Sequence, residues 1–181
     1  MHNNVAVAMI VIAIIGSRNS GKTTAIEALV KGLTKRGYNV ATIKHVSEPS
    51  FTIDTEGKDT WRHAQAGAQT IVIVASKEIG IIKKVDTTKL SLQEIIKNCQ
   101  NNIDIIVLEG FRSLVEHEST VFKIITIKTF EETTEAQKRF KPIIAFTGSA
   151  ALTAKRLGIP VVDVLKEPEK LVEIVERKIR L

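Results

Sequence analysis

A short run of glycines beside a lysine and a threonine has residue types and spacing that fit phosphate chemistry. Gly16, Gly21, Lys22 and Thr23 meet the pattern G-x-x-x-x-G-K-[ST]. The backbone amides of such a loop surround the α- and β-phosphates of a nucleoside triphosphate, the lysine reaches the β- and γ-phosphates, and the threonine binds Mg2+. The positive end of the following helix also favours the anion. The glycine loop, residues 16–24, is therefore predicted to bind a nucleoside triphosphate.

The segments on either side of the glycine loop have the periodicities needed to position it. Residues 6–15 form an uninterrupted apolar run, which is typical of a central parallel strand covered on both faces. After the loop, Ile26, Leu29, Val30 and Leu33 recur at helical spacing. We therefore predict a strand in the middle of a sheet, then the loop, then an amphipathic helix.

Charged side chains follow other predicted strands at their carboxyl ends, where ligands of open α/β sheets bind. One apolar strand ends in Glu109, and an acid in that position lies beside Mg2+ in proteins with this type of loop. Arg112 follows and either contacts phosphate or stays solvated. An earlier strand ends in Lys44 and His45.

A dense polar segment, residues 54–68, carries further candidate ligands. Asp54 or Asp59 is a candidate contact for Mg2+ or its bound water, and the alternative for Asp59 is to cap a short helix. The turn at residues 147–149 contains a glycine, follows a predicted core strand and is a candidate contact for the nucleotide base. Arg18, inside the glycine loop, either adds charge at the triphosphate or points to solvent.

Length and composition predict one α/β domain, residues 1–181. The chain has 181 residues, of which 44% are hydrophobic and 4% aromatic, and this is enough to bury a full core. The formal net charge is +6, but the basic residues are scattered among acids, so no nucleic-acid binding is expected. The first apolar run is too short to cross a bilayer and continues into the glycine loop, so we expect a cytoplasmic protein without membrane contact. The single cysteine, Cys99, forms no internal disulfide and is expected to be buried.

Apolar runs alternate with helical patterns along the chain. They predict an α/β domain built around a mainly parallel sheet. Two β-rich runs, residues 69–74 and 80–85, predict an antiparallel edge strand or hairpin. An S-x-x-E capping box predicts a helix over residues 92–99. Residues 129–141 predict a helix or a mobile cover, and residues 161–165 a last strand.

Four stretches occur in the order found in the MobB family: GSRNSGKTT at 16–24, TIKH at 42–45, DTEGKDTWRHAQAGA at 54–68 and VLEGFR at 107–112. The chain resembles that family over roughly its first two thirds. MobB proteins are the GTP-binding partners in molybdopterin-guanine dinucleotide biosynthesis. The resemblance implies a doubly wound, mainly parallel P-loop nucleotide-binding fold in three α/β/α layers. It also implies GTP with Mg2+ in the glycine loop, slow GTP hydrolysis and a homodimer.

The resemblance also implies a partner enzyme. A MobA-like guanylyltransferase joins GMP to molybdopterin, so the implied function is an adaptor role more than autonomous catalysis, and direct binding of molybdopterin stays open. No N-K-x-D tetrad is present to recognise guanine, so the choice of GTP over ATP rests on the resemblance alone.

The resemblance assigns roles to residues by position. Asp59 and Glu109 are implied to lie near the metal, Lys44 and His45 to face the pocket, and Lys22, Glu109 and Asp59 to serve in catalysis. The residues implied to hold the phosphates are Gly16, Ser17, Arg18, Asn19, Ser20, Gly21, Lys22, Thr23 and Thr24.

Two other functions stay open at this point. A small-molecule kinase that uses ATP needs a basic lid, for which the candidates are Lys123, Lys128, Lys138, Arg139 and Lys141. A metallochaperone GTPase has less support, because one cysteine and four histidines give no cluster with metal-ligand spacing.

Overall fold

The computed structural model describes residues 9–99, 102–150 and 158–179. The chain divides into two compact units, the first comprising residues up to His45 and from Leu92 onward, the second Val46–Ser91. The single domain predicted over residues 1–181 stays a prediction. In the part of the chain that is described, no helix combines the length and the apolar composition that crossing a bilayer requires.

A five-stranded parallel sheet forms the centre of the first unit, and two further strands belong to the second unit. In chain order the strands are β1 (Ile10–Gly16), β2 (Val40–Lys44), β3 (Thr70–Val74), β4 (Ile79–Lys83), β5 (Ile105–Glu109), β6 (Val121–Thr126) and β7 (Ile143–Thr147). The order in the large sheet is β2-β5-β1-β6-β7, and all four pairings are parallel. β1 lies in the middle, as predicted, although residues 6–8 of the predicted strand lie outside the described residues.

Helices cover both faces of this sheet. The helices are α1 (Lys22–Lys35), α2 (Asp59–Gln65), α3 (Leu92–Ile96), α4 (Arg112–Val115), α5 (Glu131–Arg139) and α6 (Pro168–Ile179). Side chains of α1 and α6 belong to one core cluster, and side chains of α3, α4 and α5 to the other. The predicted doubly wound, three-layer architecture is therefore confirmed.

Alternation along β1 explains why its sequence is apolar without interruption. Ile12 and Ile14 join the core cluster that contains Leu29 of α1, whereas Ala13 and Ile15 join the cluster on the opposite face. All four β1 side chains are at most 1% exposed. Because successive side chains of a strand point to opposite faces, burial of both faces requires an apolar residue at every position.

The second unit contains an antiparallel hairpin. β3 and β4 pair from Thr70 opposite Lys83 to Val74 opposite Ile79, and they form a sheet of their own. This confirms the hairpin alternative of the sequence prediction. A short 3-10 turn, Thr87–Lys89, follows β4 in the chain.

The helix predicted over residues 92–99 is shorter in the structure and ends at Ile96. The side-chain amide of Asn98 donates to the carbonyls of Glu94 and Ile95, at 3.0 and 3.1 Å. An asparagine that binds nearby backbone carbonyls competes with continuation of the helix. Cys99 is half-buried, and burial raises the pKa of its thiol.

The prediction of a strand over residues 161–165 is wrong except at its first residue. Val161 forms one isolated parallel bridge with Phe146. The chain turns at Asp163. The carboxylate of Asp163 accepts from the Leu165 amide at 3.2 Å, and its backbone carbonyl accepts from the amides of Lys166 and Glu167. Residues 129–141, left open between a helix and a mobile cover, contain α5.

Candidate functional site

The glycine loop connects β1 to α1, and two of its glycines are needed for different reasons. A Cβ on Gly16 would overlap Thr126 Oγ1 of β6, so this position lacks room for a side chain. Gly21 has open space around it but adopts φ +94°, in the left-handed region that favours glycine. The two constraints explain why the motif has glycine at both of these positions.

Buried hydroxyl groups fix the glycine loop to the sheet. Ser20, 4% exposed, donates from Oγ to the Ser17 carbonyl at 2.8 Å. The same oxygen lies 2.6 Å from Thr126 Oγ1, which also contacts the Ile15 carbonyl at 3.2 Å. Since each hydroxyl has a partner, the loop holds its shape through its own hydrogen bonds.

Lys22 folds back over the glycine loop. Its ammonium donates to the carbonyls of Ser17 at 2.7 Å and Gly16 at 3.2 Å. Burial lowers the pKa of Lys22, the Glu109 carboxylate opposes this effect, and the positive charges of Lys44, Lys128 and Arg112 lower the pKa further. Lys22 therefore interacts electrostatically with one acid and three other cations, all in the first unit.

Glu109 and Lys44 end neighbouring strands and form an ion pair. They are opposite each other in the register of β2 and β5, and Lys44 Nζ lies 3.3 Å from both carboxylate oxygens. The side chain of Glu109 is 17% exposed and that of Lys44 is 61% exposed. The structure thus brings together two strand ends that the sequence singled out separately.

His45 and Phe111 lie side by side just beyond the same two strands. Their ring centroids are 5.2 Å apart, and the His45 amide donates to the Glu109 carbonyl at 3.0 Å. Phe111 is 7% exposed and adopts φ +55°, which is uncommon for a residue with a Cβ. This conformation starts α4, a short helix that the sequence analysis did not predict.

Arg112 lies beside α5. It is 3.6 Å from Glu135, and its guanidinium lies 5.6 Å from the centroid of the Phe140 ring. It lines a small cavity of about 80 Å3 next to Gly16 and Ser17 of the glycine loop. The arginine is therefore held near the loop by an ion pair and a ring contact.

α5 contacts the glycine loop through Glu132, a residue the sequence analysis missed. One carboxylate oxygen accepts from Ser17 Oγ at 3.1 Å and the other from the Lys128 amide at 2.6 Å. Lys128 in turn donates from Nζ to the Arg18 carbonyl at 2.9 Å. No pattern in the sequence separates Glu132 from its acidic neighbours, because its role depends on where α5 packs.

The remaining predicted site residues lie in two places. Thr23 is the exposed second residue of α1, while Arg18 and Asn19 are exposed in the glycine loop. Asp59 belongs to the second unit, where it is exposed and lies 4.0 Å from Arg62.

The alternative in which Asp59 caps a helix is wrong, since it is the first residue of α2 and the N-cap position is Lys58. Asp54 accepts from Thr60 Oγ1 at 2.7 Å with one oxygen, and its other oxygen is buried without a partner among the described residues. Within the described ranges, no group of three or more histidine, cysteine or acidic side chains is arranged to hold a metal ion.

The basic lid that a kinase would need is only partly available. Lys123 is fully buried and donates to the carbonyls of Glu118 and Lys141. Arg139 forms a 2.7 Å ion pair with Glu116. Both side chains already bind groups of the protein itself, so fewer cations remain for a lid that would close over an acceptor.

A second, larger cavity of about 300 Å3 adjoins the glycine loop. It is lined by residues of the loop and the start of α1, by Gly148 and Ser149, and by residues 163–165. A Cβ on Gly148 would lie 3.1 Å from the Ser20 carbonyl and would overlap the backbone of Ile127. The turn predicted to contact a base therefore lies against the glycine loop.

Comparison with known proteins places this arrangement in a family. The family model described as "Molybdopterin guanine dinucleotide synthesis protein B", MobB, matches residues 11–147. The chain belongs to the MobB family. The matched span includes the glycine loop, Lys44, Glu109 and Arg112, and it ends before Asp163.

Relatives in the MobB family share about a third of the aligned residues. A putative molybdopterin-guanine dinucleotide biosynthesis adapter protein of Methanocaldococcus jannaschii is 33% identical over 121 residues, 66% of this chain and 48% of that protein. The molybdopterin-guanine dinucleotide biosynthesis adapter protein of Haemophilus influenzae is 35% identical over 102 residues, 56% of each. The chain spans about half the length of the curated relatives that it matches.

Solved MobB structures have the same fold. A crystal structure of molybdopterin-guanine biosynthesis protein B superimposes with a TM-score of 0.69 at 22% identity, covering 95% of this chain and 100% of that one. Bacillus subtilis MobB gives a TM-score of 0.70 at 21% identity, covering 93% and 98%. At this level of identity, the likeness shows the MobB fold alone.

Proposed function

We propose that this chain binds GTP with Mg2+ in the glycine loop and acts as an adaptor in the formation of molybdopterin-guanine dinucleotide. The observation that carries the proposal is the glycine loop at the carboxyl end of the central strand, with Lys22, Lys44 and Glu109 gathered beside it. Relatives in the family are named as adapter proteins of this biosynthesis. The proposed partner is a MobA-like guanylyltransferase, which would transfer GMP to molybdopterin.

Phosphate binding would use the groups already ordered around the glycine loop. Lys22 and the amides of the loop and of the first turn of α1 would contact the phosphates. Lys44 and Arg112 would add positive charge, because both already act electrostatically on Lys22. A triphosphate carries up to four negative charges, so this cluster of cations suits it.

Glu109 and Thr23 are the residues proposed to hold Mg2+. Both supply oxygen ligands, and Mg2+ is commonly bound by one or two protein oxygens together with substrate phosphates. When bound, the ion would offset the charge of the β- and γ-phosphates. The prediction that Asp59 lies near the metal stays a prediction.

GTP hydrolysis by the chain alone is proposed to be slow. Fast hydrolysis needs a free arginine at the γ-phosphate and a residue that orients water. Arg112 is instead paired with Glu135 and placed over Phe140. The nucleotide would then serve as a bound ligand that persists while the partner enzyme acts.

A homodimer and a cytoplasmic location complete the proposal. Val72, Val74, Ile79 and Ile81 are each more than half exposed. Val72 is opposite Ile81 and Val74 is opposite Ile79, so the four side chains lie on one face of the hairpin. An exposed apolar face of this kind supports an interface with a second copy. The cytoplasm is proposed because GTP is supplied there.

Calorimetric titration tests the nucleotide part of the proposal. Non-hydrolysable analogues of GTP and ATP are titrated with and without Mg2+ into wild type, Lys22→Ala and Lys31→Ala. Lys31 is an exposed lysine on the same helix and serves as the matched control. We expect GTP to bind more tightly than ATP, Mg2+ to increase affinity, and Lys22→Ala alone to lose roughly 100-fold or more in affinity. Absence of triphosphate binding by wild type would overturn the proposal.

The adaptor role needs a separate assay. Transfer of GMP to molybdopterin by a MobA-like enzyme is measured with and without this chain at fixed GTP. The expected result is faster transfer with wild type and with Lys31→Ala, but not with Lys22→Ala. Equal rates in all four reactions would contradict an adaptor role while leaving GTP binding intact.

A further inference from the structure

Asp163 is one of the residues that line the 300 Å3 cavity beside the glycine loop. Its lining also includes Val164, Leu165, Gly148 and Ser149. The cavity also contacts the loop through Asn19 and Gly21. Its volume is at the lower end of the range for small-molecule sites, which suits one purine ring system better than a larger group.

Asp163 is held in place but keeps unused hydrogen-bonding capacity. Its Oδ1 accepts from the Leu165 amide at 3.2 Å, and this hydrogen bond is part of the turn that follows Val162. Its Oδ2 has an ion pair of 3.6 Å with Lys166, whose side chain is 75% exposed. Each carboxylate oxygen has about two acceptor sites, so the pair of oxygens can accept further hydrogen bonds from a ligand.

Two aliphatic residues that follow Asp163 in the chain also line the cavity. Val164 is buried, while Leu165 is 81% exposed although it is a large apolar residue. An exposed leucine at the rim of a cavity supplies a surface against which a flat ring can pack. The cavity therefore combines an apolar wall, a fixed anion and the small residues of a glycine turn.

We infer that this cavity binds the nucleotide base and that the Asp163 carboxylate selects guanine. This inference rests on the proposed function, since it supplies the base selectivity that the missing N-K-x-D tetrad leaves unexplained. Guanine presents two adjacent donors, N1–H and the 2-amino group, which a carboxylate accepts together. Adenine presents an unprotonated N1 beside a hydrogen-bearing C2, so the same carboxylate would face a lone pair and a C–H group.

The position of Asp163 follows from the topology. The bridge between Phe146 and Val161 places the segment after Gly158 next to β7 and parallel to it. The carboxyl ends of parallel strands lie at the same edge of the sheet, where β1 delivers the glycine loop. Asp163 thus reaches the same edge as the predicted phosphate contacts, and it lies outside the span matched by the family model.

Asp163→Asn tests the inference with little change to the local turn, because asparagine keeps an oxygen for the Leu165 amide. The variant can accept from N1–H and donate to a 2-carbonyl group, which xanthine carries where guanine has its amino group. Affinities for non-hydrolysable analogues of GTP and XTP are measured calorimetrically. We expect wild type to prefer GTP, and Asp163→Asn to lose roughly 10- to 100-fold in GTP affinity while gaining XTP affinity.

Asp104→Asn is the matched control. Asp104 also accepts a backbone amide with its carboxylate, from Asn39 at 2.8 Å, but it precedes β5 at the opposite end of the sheet. This variant is expected to keep the wild-type preference for GTP. ITP, which lacks the 2-amino group, gives a second measurement on the unmodified protein and should bind wild type roughly 10-fold more weakly than GTP.

The outcomes separate the two proposals. If wild type binds GTP tightly but Asp163→Asn keeps the wild-type ratio of GTP to XTP affinity, the role of Asp163 is overturned and GTP binding stands. Equal affinity of wild type for GTP and ITP would also overturn it. If wild type binds no triphosphate, the proposed function fails and the inference fails with it.

Discussion

At the scale of single residues, the pairing of Lys44 with Glu109 links two predicted roles. The lysine lies 3.3 Å from both carboxylate oxygens, and it is far more exposed than its partner. Because the lysine end of the pair is exposed to water, which screens the attraction, the pair contributes little to stability, on the order of 1 kcal/mol. The pair can therefore open at small cost, and Glu109 becomes free to bind a cation when the proposed nucleotide arrives.

Glu109→Gln is predicted to weaken the dependence of GTP affinity on Mg2+. The amide keeps the shape of the side chain but removes the negative charge that favours the ion. We expect the gain in affinity on adding Mg2+ to fall roughly 10-fold, measured by titration with and without the ion. Lys44→Gln is the control, because it removes the partner and leaves the carboxylate, so the gain from Mg2+ should persist. An unchanged gain in Glu109→Gln would mean that this acid is structural.

Glu109 and Asp163 show how far sequence patterns identify site residues. An apolar strand ending in an acid predicted Glu109 as a site residue, and the structure places it beside Lys44 and Lys22. The run IPVVD, residues 159–163, is also apolar and also ends in an acid, Asp163. The predicted strand extends past Asp163 to Leu165, because Val164 and Leu165 are also apolar. In the structure the aspartate accepts from the Leu165 amide and starts a turn.

At the scale of elements, α5 stabilises the glycine loop from outside the motif. Glu132 accepts from the Ser17 hydroxyl and from the Lys128 amide, and Lys128 donates to the Arg18 carbonyl. Ala136 and Phe140 of the same segment are buried in the core. A helix fixed by the core thus holds two residues of the loop.

Glu132→Ala is predicted to loosen the glycine loop without unfolding the chain. Loss of the two hydrogen bonds should speed amide exchange in residues 16–21 roughly 10-fold, as measured by hydrogen–deuterium exchange with mass spectrometry. Glu131→Ala, a neighbouring exposed acid on the same helix, is the control and should leave exchange in the loop unchanged. Equal exchange in both variants would show that α5 does not restrain the loop.

The elements themselves were largely predictable, since their periodicities are strong. The central strand, α1 and the hairpin were expected from apolar runs and helical spacing, and the structure contains them. α4 was not expected, because four residues are too few to show a helical period. The contact between α5 and Ser17 joins residues 115 positions apart, so only the fold reveals it.

At the scale of the whole molecule, the chain carries one tryptophan and one tyrosine, in different units. Trp61 lies in the second unit and Tyr38 in the first. Tryptophan fluorescence therefore reports on the second unit, while circular dichroism reports on helices that lie mostly in the first. This arrangement makes the single-domain prediction directly testable.

Unfolding in urea is predicted to show one transition by both probes. If residues 1–181 form one cooperative domain, the fluorescence of Trp61 and the far-ultraviolet circular dichroism should give the same midpoint and slope. Two midpoints would show that the units unfold independently and would contradict the prediction. The protein should be measured at several concentrations, because a dimer makes the midpoint depend on concentration.

The apolar face of the hairpin gives a test of the proposed homodimer. Val74→Lys places a charge among Val72, Ile79 and Ile81, so we expect the variant to become monomeric. Mass is measured by light scattering after size-exclusion chromatography. Leu114→Lys, at an exposed apolar residue of α4, is the control and should retain the wild-type mass. A dimeric Val74→Lys variant would exclude this face as the interface.

The hydrogen bonds of Lys22 within the glycine loop affect how a phosphate would bind. Its ammonium already donates to two backbone carbonyls of the glycine loop, at 2.7 and 3.2 Å. If a phosphate oxygen accepts from the Lys22 ammonium, it replaces a backbone carbonyl as the acceptor. The number of hydrogen bonds that the ammonium donates then hardly changes. The affinity would then come mainly from charge neutralisation and from the loop amides, and it should fall steeply as ionic strength rises.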